Sequence, residues 1–128
     1  MHFDAALGSG ATVSMDTAVE YGGAGRGARP MELLLAGMGG CTGLDVIGML
    51  RKSRQQVTGY QVLVSGERAT EDPKVFTEIR VEHVVRGKGI LPEAVQRAVH
   101  LSETKYCSAS VMLGAVAKIT TTFRIEEE

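Results

Sequence analysis

The chain has 128 residues, the size of one domain, since domains usually run to about 100–150 residues. Its 14 Lys and Arg against 15 Asp and Glu leave a formal charge of -1, which offers no basic stripe for a nucleic acid or an anionic membrane. A hydrophobic fraction of 44% excludes wholesale disorder, and an N-terminus of Met-His-Phe-Asp-Ala, without a basic start or a long apolar run, predicts a cytoplasmic protein.

Residues 11–21 alternate as a strand, with Val13, Met15 and Val19 on one side, and His2 to Leu7 pairs with it through Gly8-Ser9-Gly10. Gly22 to Pro30 reads as a flexible loop carrying Arg26 and Arg29. Pro30 suits the first turn of a helix, which the spacing predicts from Met31 to about Arg54 around Leu34, Met38, Leu44, Ile47 and Leu50. Gly37, Gly39, Gly40, Gly43 and Gly48 fall inside it, and each costs about 0.5–1 kcal/mol relative to Ala. Close approach of another backbone is the expected compensation. The apolar run Leu33–Leu44, bounded by Glu32 and Asp45, is too short to span a bilayer.

Val57 to Arg68 and Val75 to Gly87 read as an antiparallel hairpin turning at Thr70-Glu71-Asp72-Pro73. In the second strand Ile79, Val81 and His83 share one face, and Glu78, Arg80 and Glu82 the wet one. Pro92 to Lys105 predicts a second helix, Ser108 to Val116 a third, capped by its Ser, and Lys118 to Ile125 a closing strand. The order β-β-α-β-β-α-α-β is that of a single α+β domain over residues 1–128. Its central helix is apolar on more than one side, more than one small sheet can cover, so a homodimer is expected.

Gly23-Ala24-Gly25-Arg26-Gly27-Ala28 fits G-x-G-x-x-G/A, but a dinucleotide site needs a βαβ unit with a parallel second strand. An antiparallel hairpin follows instead, so no nucleotide cofactor is assigned. Metal ligation would call on Cys41, Cys107, His83 and His100, which lack C-x-x-C or H-x-x-x-H spacing, so no metal is assigned. Cys41, in the most apolar helix, reads by itself as a small buried hydrophobe. Cys107 differs: it lies at a helix-to-helix junction, where N-terminal amides stabilise a thiolate or present a thiol for exchange.

P-x-E-L-L-L-A-x-x-G-x-C-T-x-x-D-V from Pro30 to Val46, followed by L-S-x-x-K-Y-C-S from Leu101 to Ser108, resembles the OsmC/Ohr family of hydroperoxide-reducing proteins. Phe76 to Ile79 and Arg97 to Ser102 extend the likeness. It implies an OsmC-like fold: an intertwined homodimer with antiparallel sheets wrapped around long cysteine-bearing helices. It also implies a thiol peroxidase acting on organic hydroperoxides or hydrogen peroxide. Cys41 would become a sulfenic acid, Cys107 would resolve it as a disulfide, and a dithiol, a lipoyl protein or small thiol, would restore both. An apolar pocket lined by Met38, Leu34 and residues across the dimer would favour organic substrates.

Family members place a glutamate ten residues before the peroxidatic cysteine, where this chain has Met31, and an arginine near the first hairpin, where it has Gly8-Ser9-Gly10. The resemblance is thus to a divergent subgroup. Glu32 and Arg29, with Arg26 as the other nearby cation, are the candidates for those roles. The alternative is an OsmC-like binding or redox-sensing module with little turnover.

Overall fold

The computed structural model describes residues 1–128, which form two compact units, Met1–Ala36 and Gly37–Glu128. In the first, strands β1 (His2–Ala6) and β2 (Thr12–Asp16) pair antiparallel, from His2 opposite Asp16 to Ala6 opposite Thr12. Their turn is closed by Leu7 N–H to the Ala11 carbonyl and Gly10 N–H to the Leu7 carbonyl, both 2.9 Å. Gly10 takes φ +94°, where glycine is favoured.

The second strand stops at Asp16, short of the expected Tyr21, and the cause is the Asp16 side chain. Its Oδ1 accepts from the Thr17 N–H at 2.8 Å, and its Oδ2 from Ala24 at 3.1 Å and Arg26 at 3.2 Å. Local aspartate bonds of this kind compete with a ladder and turn the chain. A 3-10 turn at Val19–Tyr21 follows, and Ala28 returns to bridge Met15 in parallel. The segment expected to be a flexible loop is therefore held at both ends. Three amides also hold the Asp16 carboxyl below the usual carboxylate range, the Arg26 amide contributing most.

Helix α1 runs from Pro30 to Lys52, with Glu32 in its first turn and Arg51 and Lys52 in its last, each suited to the helix dipole. It ends where Arg54 adopts φ +60° and Gln55 N–H reaches back to the Leu50 carbonyl at 3.0 Å. Helix α1 has 23 residues, and an 18-residue stretch of it with a mean hydropathy of 1.6 is long and apolar enough to cross a membrane by length and composition, a test that a buried core helix passes as well. One stripe of α1, including Thr42, Gly43, Val46 and Leu50, is buried in the core.

In the second unit, β3 (Gln56–Arg68) and β4 (Phe76–Lys88) form the expected antiparallel hairpin. Strand β5 (Lys118–Glu127) completes a sheet of order β3-β4-β5, but it lies parallel to β4. Helices α2 (Pro92–Leu101) and α3 (Ser108–Gly114) supply the crossover that a parallel pair requires. Ser102–Tyr106 between them forms a π turn rather than a continuation of α2. The core gathers Val46 and Leu50 of α1, Val85 of β4, Ile90, and Val95, Ala98 and Val99 of α2. The mixed α+β architecture is the expected one.

The glycines of α1 separate into two groups. A methyl group added at Gly39 would meet Val64 at 3.1 Å, and one at Gly43 would meet Val62 at 3.2 Å and Tyr60 at 3.8 Å. Their neighbours are β3 side chains, where another backbone was expected. Gly37, Gly40 and Gly48 have nothing within 4 Å.

Candidate active site

Cys41 and Asp45 are one turn apart on α1, which puts both side chains on the same helix face. Cys107 arrives from the other end of the sequence, carried by the π turn. Its own N–H donates to the Ser102 carbonyl at 2.8 Å, and its Sγ accepts from the Ser110 N–H at 3.3 Å. Cys107 is thus the cap of α3, the position expected for a Ser, with an extended φ of -82° and ψ of 101°. The two Sγ atoms and a carboxylate oxygen of Asp45 all lie within 4.8 Å of one another. Both thiols are free; Cys41 is half-buried and Cys107 fully buried.

Burial pushes the Cys107 thiol up, and neighbouring Cys41 adds to that, while Ser110 opposes it. Cys107 accordingly stays protonated until it reacts. Beneath the thiols runs a hydroxyl chain. Ser102 donates to Asp45 Oδ2 at 3.0 Å, and since its one proton is used there, the 2.7 Å contact with Thr42 has the Thr42 hydroxyl donating. Ser102 and Thr42 are both buried.

His83 is buried on its strand face, with Nδ1 at 2.7 Å from the Tyr60 hydroxyl. Burial lowers its pKa to about 4, so the ring is neutral, and Nε2 has no hydrogen-bond partner. Burial first, and the charge of Asp45 second, push Tyr60 above its ordinary value. His83 lies outside the thiol cluster, and His100 is exposed on α2.

Of the residues the sequence nominated, Cys41 and Cys107 meet here. Arg29, directly before α1, and Glu32, in its first turn, are exposed residues of the first unit. Met38, expected to line a substrate pocket, is fully buried. A groove of about 830 Å³ adjoins the cluster at Asp45, lined also by Leu44, Met49, Leu101 and Tyr106, with Lys52 and Arg97 as its cations. Sequence reasoning missed Asp45, although a lone acid four residues after Cys41 in an apolar helix was the available signal.

Residues 22–122 match the family model for OsmC-like protein. The chain belongs to the OsmC-like family. It is 41% identical over 96 residues to Protein YhfA of Escherichia coli strain K12, a match covering 75% of this chain and 72% of that one. A hypothetical protein from Aquifex aeolicus VF5 superimposes with a TM-score of 0.79 at 29% identity, covering 100% of this chain and 96% of the other. An organic hydroperoxide resistance protein from Elizabethkingia anophelis shares the fold, with a TM-score of 0.70 at 15% identity over 98% of this chain and 94% of that one.

Proposed function

We propose that this OsmC-like protein is a thiol peroxidase that reduces organic hydroperoxides or hydrogen peroxide. The observation that carries the reading is the meeting of two free thiols, one half-exposed and one buried, in a fold shared with organic hydroperoxide resistance proteins. The half-exposed Cys41 is the peroxidatic residue. Its thiolate attacks the O–O bond, takes one oxygen as sulfenic acid and releases the alcohol, or water from hydrogen peroxide. Cys107 then attacks the sulfenic sulfur, forming the disulfide and expelling water; a dithiol reductant restores both thiols in exchange for its own disulfide. Drawing sulfurs now within 4.8 Å to a bond of about 2.05 Å requires movement, and the π turn before Cys107 is the irregular segment suited to it. The apolar groove beside Asp45 favours an organic peroxide.

Arg29 enters this proposal as the cation that stabilises the Cys41 thiolate, and Glu32 as the residue that holds it. A second copy of the chain covers the open side of α1, where Leu44 is 76% exposed and three glycines face empty space. One observation favours a redox-sensing module with little turnover: the group beside both thiols is a carboxylate, where a peroxidase calls for a cation.

Peroxide loss and free thiols, followed together with cumene hydroperoxide, test the reading. The wild-type chain should lose two thiols per peroxide in the first turnover, and Cys41→Ser should consume none. Turnover that survives Cys41→Ser ends the peroxidase assignment; single oxidation without turnover selects the sensor.

A further inference from the structure

The cluster of Cys41, Asp45 and Cys107 has one member that peroxide chemistry leaves unexplained, the Asp45 carboxylate. Two sulfurs and a carboxylate oxygen are ligands of the kind zinc takes, and three protein donors leave the fourth position of a tetrahedron open to water. Two thiolates also discriminate against the hard cations magnesium and calcium. The three donor atoms lie within 4.8 Å of one another. Around a zinc ion with Zn–S bonds of about 2.3 Å, sulfurs stand roughly 3.8 Å apart, so the cluster has to contract by about 1 Å at most.

The supports around the donors are already built. Ser102 holds Asp45 by Oδ2 at 3.0 Å, and Thr42 holds Ser102 at 2.7 Å. The Ser110 amide points at Cys107 Sγ from 3.3 Å. Such outer contacts fix the orientation of metal ligands and tune their strength. They occupy one carboxylate oxygen and leave the other free to coordinate.

The geometry points to a zinc-type divalent cation site formed by Cys41, Asp45 and Cys107 in the reduced protein and destroyed when the disulfide closes. Binding forms two metal–sulfur bonds and one metal–oxygen bond and releases the two thiol protons to solvent, with no change of oxidation state. Affinity therefore rises with pH. The site needs only reduced thiols, so it stands whether or not the protein turns over peroxide.

The test is a titration of the reduced 128-residue chain with zinc against a chromogenic chelator, with cobalt as a spectroscopic probe under argon. One ion per chain is expected, with a thiolate-to-cobalt charge-transfer band that Cys41→Ser removes. Asp45→Asn should weaken zinc binding by at least about 10-fold, the lower end of what even outer contacts command, and the disulfide form should bind none. Should Asp45→Asn fail to fold by circular dichroism, the wild-type chain decides alone: zinc, and not magnesium, must protect both thiols from alkylation. Absence of 1:1 binding, an affinity unchanged in folded Asp45→Asn, an ion retained by the disulfide form, or unprotected thiols would each overturn the site.

Discussion

Glycine is concentrated in two regions of this chain for different reasons. Between Gly22 and Pro30 it admits backbone to backbone at Gly23 and Gly27, and at Gly22 and Gly25 it allows φ of +91° and +64°. A methyl group at Gly27 would stand 2.7 Å from the Ser14 carbonyl, and one at Gly23 would overlap the Thr17 carbonyl oxygen. In α1 it admits side chains at Gly39 and Gly43, and at Gly37, Gly40 and Gly48 it admits nothing from within the chain. A count of glycines therefore does not reveal their purpose. The atoms that a Cβ would meet do.

The largest effects expected from this contrast are at Gly23 and Gly27. Backbone cannot yield as a side-chain tip does, so Gly27→Ala should destabilise the first unit by about 3 kcal/mol, the upper part of the range for overpacking. Thermal denaturation together with amide exchange at Asp16 and Ala28, whose N–H groups make the bridging bonds, measures it. Unchanged protection there would mean that the segment is not pinned as described.

Gly43→Leu should come next, at about 2 kcal/mol, because Val62 at 3.2 Å and Tyr60 at 3.8 Å leave no room for a branched side chain. Gly43→Ala is the sharper control. The added methyl group asks Val62 to yield by a few tenths of an ångström, while helix propensity returns about 1 kcal/mol, so the net change should be close to zero. A loss as large as that of Gly43→Leu would show that the helix and β3 cannot separate at all.

Acid should distinguish the two units by pH window. His83 is held neutral in the second unit, its pKa lowered from 6.5 to about 4. The unfolded chain therefore takes up a proton first, and stability present above about pH 6.5 is lost as the pH falls toward 4. Asp16, in the first unit, is lowered below the ordinary carboxylate value of 3.8. Its contribution is full above that value and goes only as the pH falls through the lower folded value. Residue-resolved amide exchange should show the second unit loosening at higher pH than the Ala24 and Arg26 amides. His83→Phe should flatten the first transition alone. Asp16→Asn should remove the second, since an amide nitrogen would face N–H donors that both carboxylate oxygens now accept.

Much of the architecture was legible because periodicity survives in the sequence. Val57–Arg68 and Val75–Gly87 fell within a residue of β3 and β4 at each end, and Ile79, Val81 and His83 share a buried face. What could not be read depends on partners distant in sequence. Asp16 ends its strand by bonding amides eight and ten residues on, and nothing in its neighbours announces that. The parallel pairing of β5 follows from where α2 and α3 deliver the chain, while alternation in Lys118–Ile125 is the same for either direction. The motifs located both thiols, but Asp45 gained its meaning only when Ser102, 57 residues away, was found to hold it.

The smallest effect is also the one that reads the open side of α1. Gly40 and Gly48 face no atom of their own chain within 4 Å, so in an isolated chain each replacement by Ala should stabilise the helix by about 0.5–1 kcal/mol. If a second copy packs against this side, the methyl groups enter a close helix contact, and the sign reverses. Equilibrium unfolding at several protein concentrations separates the cases. A concentration-dependent midpoint in the wild-type chain, lowered by Gly40→Ala, supports the proposed homodimer, because association adds a term that grows with protomer concentration. A midpoint independent of concentration, and raised by Gly40→Ala and Gly48→Ala alike, leaves this side to solvent and ends the dimer proposal.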